Sequence, residues 1–296
     1  METWLIYAIG ASVFAALTTI LAKIGVRDVN SNVATAIRTV VVLFFAWLMV
    51  VMVGSLGEIR YVDARTWFFL ILSGLATGGS WLCYFHALKL GDVNKVVPID
   101  KSSTIMTMIL AFLILSEPMG ILTVIGMVLM GVGTWMMIEF KRGGDSNNEN
   151  GKVGHSWLFF AFMAAVFASL TAILGRVGIQ NIEANLGTAI RTVAVVPMSL
   201  VMVYVTKSQN AVKTIDRKSW VFLILSGFAT GASWLLFYHA LQVGNAIHVV
   251  PIDKLSIVIT MGFAGLILKE KFAAKSIVGL ALLIVGTLLP IVISFP

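Results

Sequence analysis

The sequence predicts an all-α integral membrane protein in which ten transmembrane helices form two inverted five-helix repeats. Three observations predict this fold: the composition, the number of long apolar stretches, and a duplication that covers the whole chain. Of 296 residues, 59% are hydrophobic and only 12% are charged, and the mean hydropathy is +0.97. Soluble domains carry roughly 25% charged residues. A soluble fold could not cover this much apolar surface with so few charges.

Ten apolar stretches are long enough for membrane-spanning helices, each of which needs about 20 mostly apolar residues. In the first half they lie near 4–24, 33–54, 67–88, 96–115 and 120–139. In the second half they lie near 157–177, 186–206, 220–241, 249–268 and 273–294. The predicted domains are the first repeat, 1–140, and the second repeat, 156–296. The polar segment 141–155, rich in glycine and asparagine, is the predicted linker between them.

The second half copies the first at a constant offset of 153 residues. Residues 71–88 read ILSGLATGGSWLCYFHAL and residues 224–241 read ILSGFATGASWLLFYHAL, with 13 of 18 positions identical. The hexapeptide VVPIDK occurs at 96–101 and again at 249–254. Because each half has an odd number of predicted helices, the second half must cross the membrane in the opposite sense. Inverted repeats are common in transporters, which place the solute site near the bilayer midplane where the repeats meet.

The net charge of +7 does not indicate a nucleic-acid partner, because the basic residues lie between the apolar stretches. The loops on the linker side carry 14 Lys and Arg residues and the loops on the side of the termini carry three. The positive-inside rule therefore predicts a cytoplasmic linker and external termini. The single cysteine, Cys83, excludes an intrachain disulfide and a cysteine-based metal site. No cofactor is predicted.

Charged residues inside apolar helices are costly and therefore mark candidate functional positions. The predicted helices 96–115 and 249–268 each contain the sequence Pro-Ile-Asp-Lys, followed by a serine and a threonine. The aspartate, serine and threonine have i, i+3, i+7 spacing, so they share one helical face that we expect to line a cavity. This polar stripe comprises Asp100, Ser103 and Thr107 in the first repeat and Asp253, Ser256 and Thr260 in the second.

Four basic residues also lie within the apolar stretches. Lys101 and Lys254 follow the two aspartates, about 100° further round the helix, and either turn inward or extend toward the interface. Arg38 and Arg191 lie a turn or two inside their helices. These cations could set the charge of a solute site and would suit a carboxylate or a phosphate. Alternatively, each aspartate pairs with the neighbouring lysine or with the arginine of its own repeat, which would be a structural role.

An aromatic and histidine cluster ends the predicted helices 67–88 and 220–241. Aromatic walls with a few polar anchors are typical of small-molecule sites, although histidines at helix ends also suit the membrane interface. The candidate residues are Trp81, Tyr84 and His86 in the first repeat and Trp234 and His239 in the second. Small-xxx-small spacing in the same helices predicts close helix packing, at Gly74, Gly78, Gly227 and Gly231. Glu117 and Glu270 follow the helices 96–115 and 249–268, and we expect a structural role for both.

The chain resembles the EamA family of the drug/metabolite transporter superfamily. The resemblance covers the whole chain and includes the two five-helix halves, with Ser116–Pro118 and Lys269–Lys271 after corresponding helices. One departure is Val13-Phe14-Ala15, and its copy Val166-Phe167-Ala168, where many relatives have Trp-Gly. The resemblance implies a central cavity within the first four helices of each repeat, with the fifth helices peripheral. It implies transport of amino acids, other metabolites or toxic compounds, often outward, and cytoplasmic termini, opposite to the charge count.

We therefore predict a secondary carrier of the cell (plasma or inner) membrane that moves a small polar or charged metabolite by alternating access. Its expected partners are a small-molecule solute and the lipid bilayer. A proton or other ion is a candidate coupling partner, because buried carboxylates often serve that purpose. The alternative is a membrane-embedded enzyme using His86, His239, Asp100 and Asp253. Neither HExxH nor GxSxG occurs in the sequence, and the polar residues are too local for a channel.

Overall fold

A computed structural model of the chain describes residues 3–25, 29–90, 96, 99–137, 156–266, 269 and 272–292. The predicted linker, 141–155, lies outside these residues, as does Glu270. The secondary structure of the described residues is helical, with no strand among them. The α-helices are α1 (Thr3–Gly25), α2 (Ser31–Val53), α3 (Ala64–Leu90), α4 (Ser103–Leu115), α5 (Ile121–Met137), α6 (Ser156–Gly178), α7 (Ala184–Val205), α8 (Arg217–Val243), α9 (Ala246–Asp253), α10 (Ser256–Leu266) and α11 (Ala274–Val292).

Eight helices of the described part of the chain are long and apolar enough to cross a membrane, with α9 and α10 forming one of these spans. α5 is apolar but shorter. Within the predicted helix 96–115, the structure has a short helical segment at 99–101, a turn at Ser102, and then α4. Large apolar side chains face outward, among them Phe44 and Leu113, which are 66% and 65% exposed. The chain is therefore a multi-pass α-helical membrane protein.

Serine hydroxyl groups on α3 join the two repeats. Ser73 Oγ donates to the Thr171 carbonyl oxygen at 2.7 Å, and Ser80 Oγ donates to the Ala164 carbonyl oxygen at 3.0 Å. Since the partner number falls as the serine number rises, α3 and α6 are antiparallel. Each hydroxyl also satisfies its own hydrogen-bonding capacity inside an apolar bundle, where an unpaired polar group is costly.

The same contacts recur 153 residues away, between α8 and α1. Ser226 Oγ donates to the Thr18 carbonyl oxygen at 3.2 Å, and Ser233 Oγ donates to the Ala11 carbonyl oxygen at 2.9 Å. α1 and α8 are therefore antiparallel, although they are the first and third helices of their repeats. Two copies with the same orientation would place these helices parallel. The predicted inverted repeat is confirmed.

Glycines allow the helices of opposite repeats to pack closely. A Cβ atom on Gly74 would lie 2.6 Å from the Arg191 carbonyl oxygen, and one on Gly227 would lie 2.6 Å from Val41 Cβ. α3 thus packs against α7, and α8 against α2, as the small-xxx-small spacing predicts. Without a hydrophobic driving force between helices in lipid, this close backbone contact is a main source of helix association.

α5 packs chiefly against α11, which is its own counterpart in the other repeat. A Cβ atom on Gly133 would lie 2.6 Å from the Gly279 carbonyl oxygen and 2.7 Å from Leu283 N. A Cβ atom on Gly126 would lie 2.6 Å from the Gly286 carbonyl oxygen. The two helices therefore meet in antiparallel contact at two glycine crossings.

Replacing Gly133 by valine is expected to destabilise the protein, because no side chain fits between α5 and the α11 backbone. Overpacking of this kind typically costs about 1–3 kcal/mol. The measurement is the thermal unfolding midpoint of the detergent-solubilised variant. Gly262→Val in α10 is the matched control, since a Cβ atom there meets nothing within 4 Å. Equal midpoints for the two variants would contradict the proposed crossing.

Glu117 joins the repeats at the end of the bundle where α9 begins. Its side chain is 7% exposed and its carboxylate oxygens accept hydrogen bonds from Ala246 N and Ile247 N, both at 2.8 Å. A carboxylate at a helix N-terminus satisfies free N–H groups and interacts favourably with the helix dipole. Arg176 Nε lies 4.0 Å from Glu117 Oε1, and Arg176 Nη1 donates to the Gln242 carbonyl oxygen at 2.7 Å. These contacts agree with the structural role expected for Glu117.

Candidate functional site

A central cavity of about 370 Å³ lies between the two repeats. Residues from both copies line it, contributed by α1, α3 and α4 of the first repeat and α6 to α9 of the second. The departure from the Trp-Gly pattern does not remove the first helix of each repeat from the cavity wall, because Ala15 and Ala168 both line it. Seven of the predicted site residues line this cavity: Trp81, Ser103, Thr107, Arg191, Trp234, Asp253 and Lys254.

Both Ile-Asp-Lys sequences, 99–101 and 252–254, lie where a membrane helix is interrupted. α9 ends at Asp253 and α10 begins at Ser256, with a turn between them. The helical segment 99–101 is likewise separated from α4 by a turn at Ser102. Interrupted helices near the midplane are typical of transporter sites, because the free helix ends provide polar groups.

The two aspartates each pair with the adjacent lysine. Lys254 Nζ lies 3.4 Å from Asp253 Oδ2, and Lys101 Nζ lies 3.7 Å from Asp100 Oδ2. The alternative pairing with the arginines of the same repeat is not found in the described residues. Each Asp-Lys unit is therefore close to neutral when both groups are ionised.

Arg191 is the most deeply buried charged side chain of the cavity wall, with 1% of its surface exposed. Its Nη2 donates to Thr77 Oγ1 at 2.6 Å and its Nε donates to Ser73 Oγ at 3.2 Å. Both acceptors lie on α3, in the other repeat. The guanidinium also lies over two aromatic rings, with Cζ 5.1 Å from the Trp234 ring centre and 4.6 Å from that of Tyr238. Arg191 thus connects α7 with α3 and α8.

Arg38 occupies the same place in the first repeat, but its surroundings differ. It is half-buried and does not line the cavity, and among the described residues its hydrogen-bond partners lie within its own helix, at the Ala34 carbonyl oxygen and Thr35 Oγ1, both at 3.4 Å. The hydroxyls that correspond to the partners of Arg191 belong to Ser226 and Thr230, and neither bonds to Arg38. The two arginines are therefore equivalent in sequence and different in environment.

The other predicted site residues lie outside the central cavity. Lys101 lines a neighbouring cavity of about 270 Å³ with Lys254. Thr260 Oγ1 donates to the Ser256 carbonyl oxygen at 2.8 Å, so the threonine hydroxyl of the second stripe is satisfied within α10. The predicted site residues absent from the lining of the central cavity are Arg38, Asp100, Lys101, Ser256, Thr260, Tyr84, His86 and His239.

The histidine clusters pack at the ends of their helices. The His86 ring lies 4.2 Å from that of Phe160, and the His239 ring lies 4.1 Å from that of Tyr7. Tyr84 packs against Phe85, with ring centres 5.5 Å apart. Because the repeats are inverted, the ends of α3 and α8 point to opposite sides of the membrane. His86 and His239 therefore belong to different ends of the bundle.

Threonines form a part of the cavity that the sequence reasoning missed. Thr77 Oγ1 lies 3.3 Å from Thr171 Oγ1, and the symmetry-related Thr18 Oγ1 lies 3.2 Å from Thr230 Oγ1. All four line the cavity. Thr77 and Thr230 belong to the duplicated Ala-Thr-Gly sequence, and this was the available signal. Thr18 and Thr171 are also a pair at the 153-residue offset.

An α-helical bundle of two inverted repeats around a partly polar cavity is an architecture typical of membrane transporters. The sequence profile of the EamA-like transporter family matches residues 2–139 and again 155–292. The chain belongs to this family, within the drug/metabolite transporter superfamily, as the resemblance predicted.

Relatives and a solved structure agree with this assignment. An uncharacterised transporter encoded in the region 3′ of cobO in Sinorhizobium sp. is 42% identical over 139 residues, which are 47% of this chain and 99% of the relative. An uncharacterised protein of Methanocaldococcus jannaschii is 32% identical over 97 residues, 33% of this chain and 70% of the relative. One solved crystal structure superposes with a TM-score of 0.77 at 12% identity, covering 99% of this chain and 98% of the other, which shows a shared fold.

Proposed function

We propose that this EamA-family protein is a secondary carrier with ten membrane spans, which moves a small polar or charged metabolite across the cell membrane by alternating access. The observation that carries the proposal is the central cavity between inverted repeats, into which an interrupted helix brings Asp253 and Lys254. A site of this kind opens alternately to the two sides of the membrane as one repeat moves against the other. Export is the direction most often associated with the family resemblance.

Alternating access is supported by the unequal environments of equivalent residues. In an inverted repeat, the opposite-facing state follows when the two copies exchange conformations. A Cβ atom on Gly74 would lie 2.6 Å from the Arg191 carbonyl oxygen, whereas one on Gly227 would lie 3.3 Å from that of Arg38. The closest approach is 2.6 Å at both glycines, because Val41 Cβ lies that near the Gly227 position, so the two crossings differ in the atoms that meet and not in how close the helices come. The hypothesis is that Arg38 bonds to Ser226 and Thr230 in the other state, while Arg191 releases α3.

The Asp-Lys units are the candidate coupling groups. Asp253 lies in the cavity wall at a helix break, and its side chain is 30% exposed. When the Asp253 carboxylate is ionised, it pairs with the ammonium group of Lys254. When it takes up a proton, the lysine loses its counter-charge. Intramembrane carboxylates mark proton or ion pathways in many transporters.

Replacing both aspartates by asparagine is expected to reduce transport by at least about tenfold, because each lysine then lacks its counter-charge in a low-dielectric site. The measurement is uptake by proteoliposomes of a panel of radiolabelled amino acids and organic acids. The matched control is Glu58→Gln, at an exposed position in the turn after α2. Unchanged uptake in Asp100→Asn/Asp253→Asn would remove both aspartates from the mechanism.

The alternative of a membrane-embedded enzyme receives no support from the histidine positions. His86 and His239 lie toward opposite ends of the bundle and pack on aromatic rings, so they do not meet Asp100 and Asp253 as one constellation. Turnover of a lipid or peptide by the purified protein, without net solute movement, would favour the enzyme over the carrier.

A further inference from the structure

We infer that the central cavity binds an organic monocarboxylate, with the carboxylate held by Arg191 and the apolar part against the neighbouring aromatic rings. This inference rests on the proposed carrier function and names the chemical class of its solute. No carboxylate of the described part of the chain pairs with Arg191.

The hydrogen bonding of the Arg191 guanidinium is incomplete. An arginine side chain has five N–H donors in a planar fork. Nε and Nη2 donate to Ser73 and Thr77, whereas the buried Nη1 has no hydrogen-bond partner. A buried donor without a partner is costly. Nη1 is itself sealed from solvent, so an acceptor bound in the cavity that Arg191 lines would reach it after a small rotation of the guanidinium and would complete the set.

The cavity wall carries a net positive charge. Asp253 is already paired with Lys254 at 3.4 Å, so these two lining charges cancel. The hydroxyl partners of Arg191 are neutral. One positive charge therefore remains without a counter-charge on the described cavity wall, in a site where an unpaired charge is strongly unfavourable.

The single positive charge of Arg191 distinguishes between classes of solute by their own charge. A monocarboxylate brings one negative charge and two acceptor oxygens, which match the arginine fork. A phosphate monoester carries about −1.5 to −2 charges at pH 7, so it would leave excess negative charge in the cavity. A cationic solute would add to the charge of Arg191. Of these three classes, the monocarboxylate brings the charge of the cavity wall closest to neutrality.

The aromatic lining of the cavity indicates the nature of the solute apart from its carboxylate. Trp81, Trp234 and Phe237 line the same cavity, and Tyr238 lies beneath the guanidinium. Aromatic walls with one charged anchor suit a ligand with an apolar or aromatic body. A volume of about 370 Å³ restricts this ligand to a small molecule.

The test is a thermal-shift titration of the detergent-solubilised protein with acetate, butyrate, benzoate and indole-3-acetate, and with the amide of each. A ligand that binds the native state stabilises it by RT ln(1 + [L]/Kd), so the unfolding midpoint rises with the logarithm of the ligand concentration once this exceeds Kd. We expect at least one carboxylate to raise the midpoint, with the matched amide at least about tenfold weaker. Benzylamine and phenyl phosphate serve as cationic and dianionic probes and are expected to be weaker than benzoate.

Arg191→Gln is expected to weaken binding of the active carboxylate at least about tenfold, and Arg191→Lys is expected to lie between this variant and the wild type. Arg65→Gln, the same substitution at an exposed arginine, is the matched control and is expected to bind as the wild type does. If Arg191→Gln does not fold, Arg191→Lys, which keeps the charge, provides the test. The inference is overturned if amides bind as tightly as acids, if the Arg191 variants bind like the wild type, or if no carboxylate shifts the midpoint.

Proteoliposome flux with the same probes separates this inference from the proposed function. Flux of amides or benzylamine that is independent of Arg191, without flux of carboxylates, would overturn the inference and leave the carrier intact. If no probe of any charge class, and none of the radiolabelled panel, crossed the membrane, the carrier proposal itself would fail. Carboxylate flux that is lost in Arg191→Gln supports both the carrier function and the carboxylate site at Arg191.

Discussion

Replacing Arg38 by glutamine is expected to slow transport at least about tenfold, while Kd for the solute changes by no more than about threefold. In the state described here, Arg38 does not line the cavity and bonds only within α2. Binding in this state therefore does not require it. If the two repeats exchange conformations, Arg38 must connect α2 to α8 in the opposite-facing state, as Arg191 now connects α7 to α3.

The measurement compares proteoliposome flux with Kd from thermal-shift titration in one preparation of Arg38→Gln. Arg60→Gln, at an exposed position, serves as the matched control and is expected to leave both quantities unchanged. Normal flux in Arg38→Gln would show that the first-repeat arginine has no part in the exchange. An equal loss of flux and of affinity would place Arg38 in the binding site instead.

Replacing Glu117 by alanine is expected to lower the free energy of unfolding by about 3–5 kcal/mol, the usual effect of removing one partner of a buried ionic contact. The substitution leaves the N–H groups of Ala246 and Ile247 without their acceptors at the start of α9. It also removes the only carboxylate that the described residues place beside Arg176. Since α9 carries Asp253, the loss of this cap is expected to reduce transport as well.

The unfolding free energy of Glu117→Ala can be measured by denaturant titration in mixed micelles. Glu58→Ala is the matched control, because Glu58 is exposed in the turn after α2. Glu117→Gln keeps the shape of the side chain and is expected to be intermediate, since its amide offers one acceptor oxygen rather than two. Equal stabilities of the Glu117→Ala and Glu58→Ala variants would contradict a capping role.

The inverted arrangement was predictable from the sequence because the duplication is strict. A constant offset with five apolar stretches per copy leaves no other orientation for the second copy. The Pro-Ile-Asp-Lys segments were likewise recognisable, since charged residues rarely occur within apolar helices without a function. The structure adds that both segments coincide with helix interruptions.

The different environments of the two arginines could not be predicted. Residues 36–39 and 189–192 have the same sequence, Ala-Ile-Arg-Thr, yet Arg191 is buried and Arg38 is half-buried. Because the two segments have the same residues, the local sequence cannot predict different environments for them. The difference arises from how each repeat packs on the other.

The partners across the repeats were also beyond sequence reasoning. Thr77 and Thr171 are 94 residues apart in the chain and meet because α3 packs against α6. The pairing of each aspartate with the adjacent lysine was one of the alternatives open from the sequence. The other alternative was the pairing of each aspartate with the arginine of its own repeat. Only the positions of helices from both repeats decide between these two pairings.

If the two repeats exchange environments around one cavity, the distance between α2 and α8 must differ between the two states. Measuring this distance is the most direct test of the exchange. Spin labels on Ser31→Cys and Lys218→Cys, with Cys83 replaced by alanine, report this distance by double electron–electron resonance. Both labelled positions are exposed, and Cys83 is the only cysteine of the chain.

Arg191→Gln removes the connection between α7 and α3, so it is expected to populate a second α2–α8 distance. Arg38→Gln is expected to deplete that same population. Identical distance distributions in the wild type and both variants, in protein that still transports solute, would contradict the account.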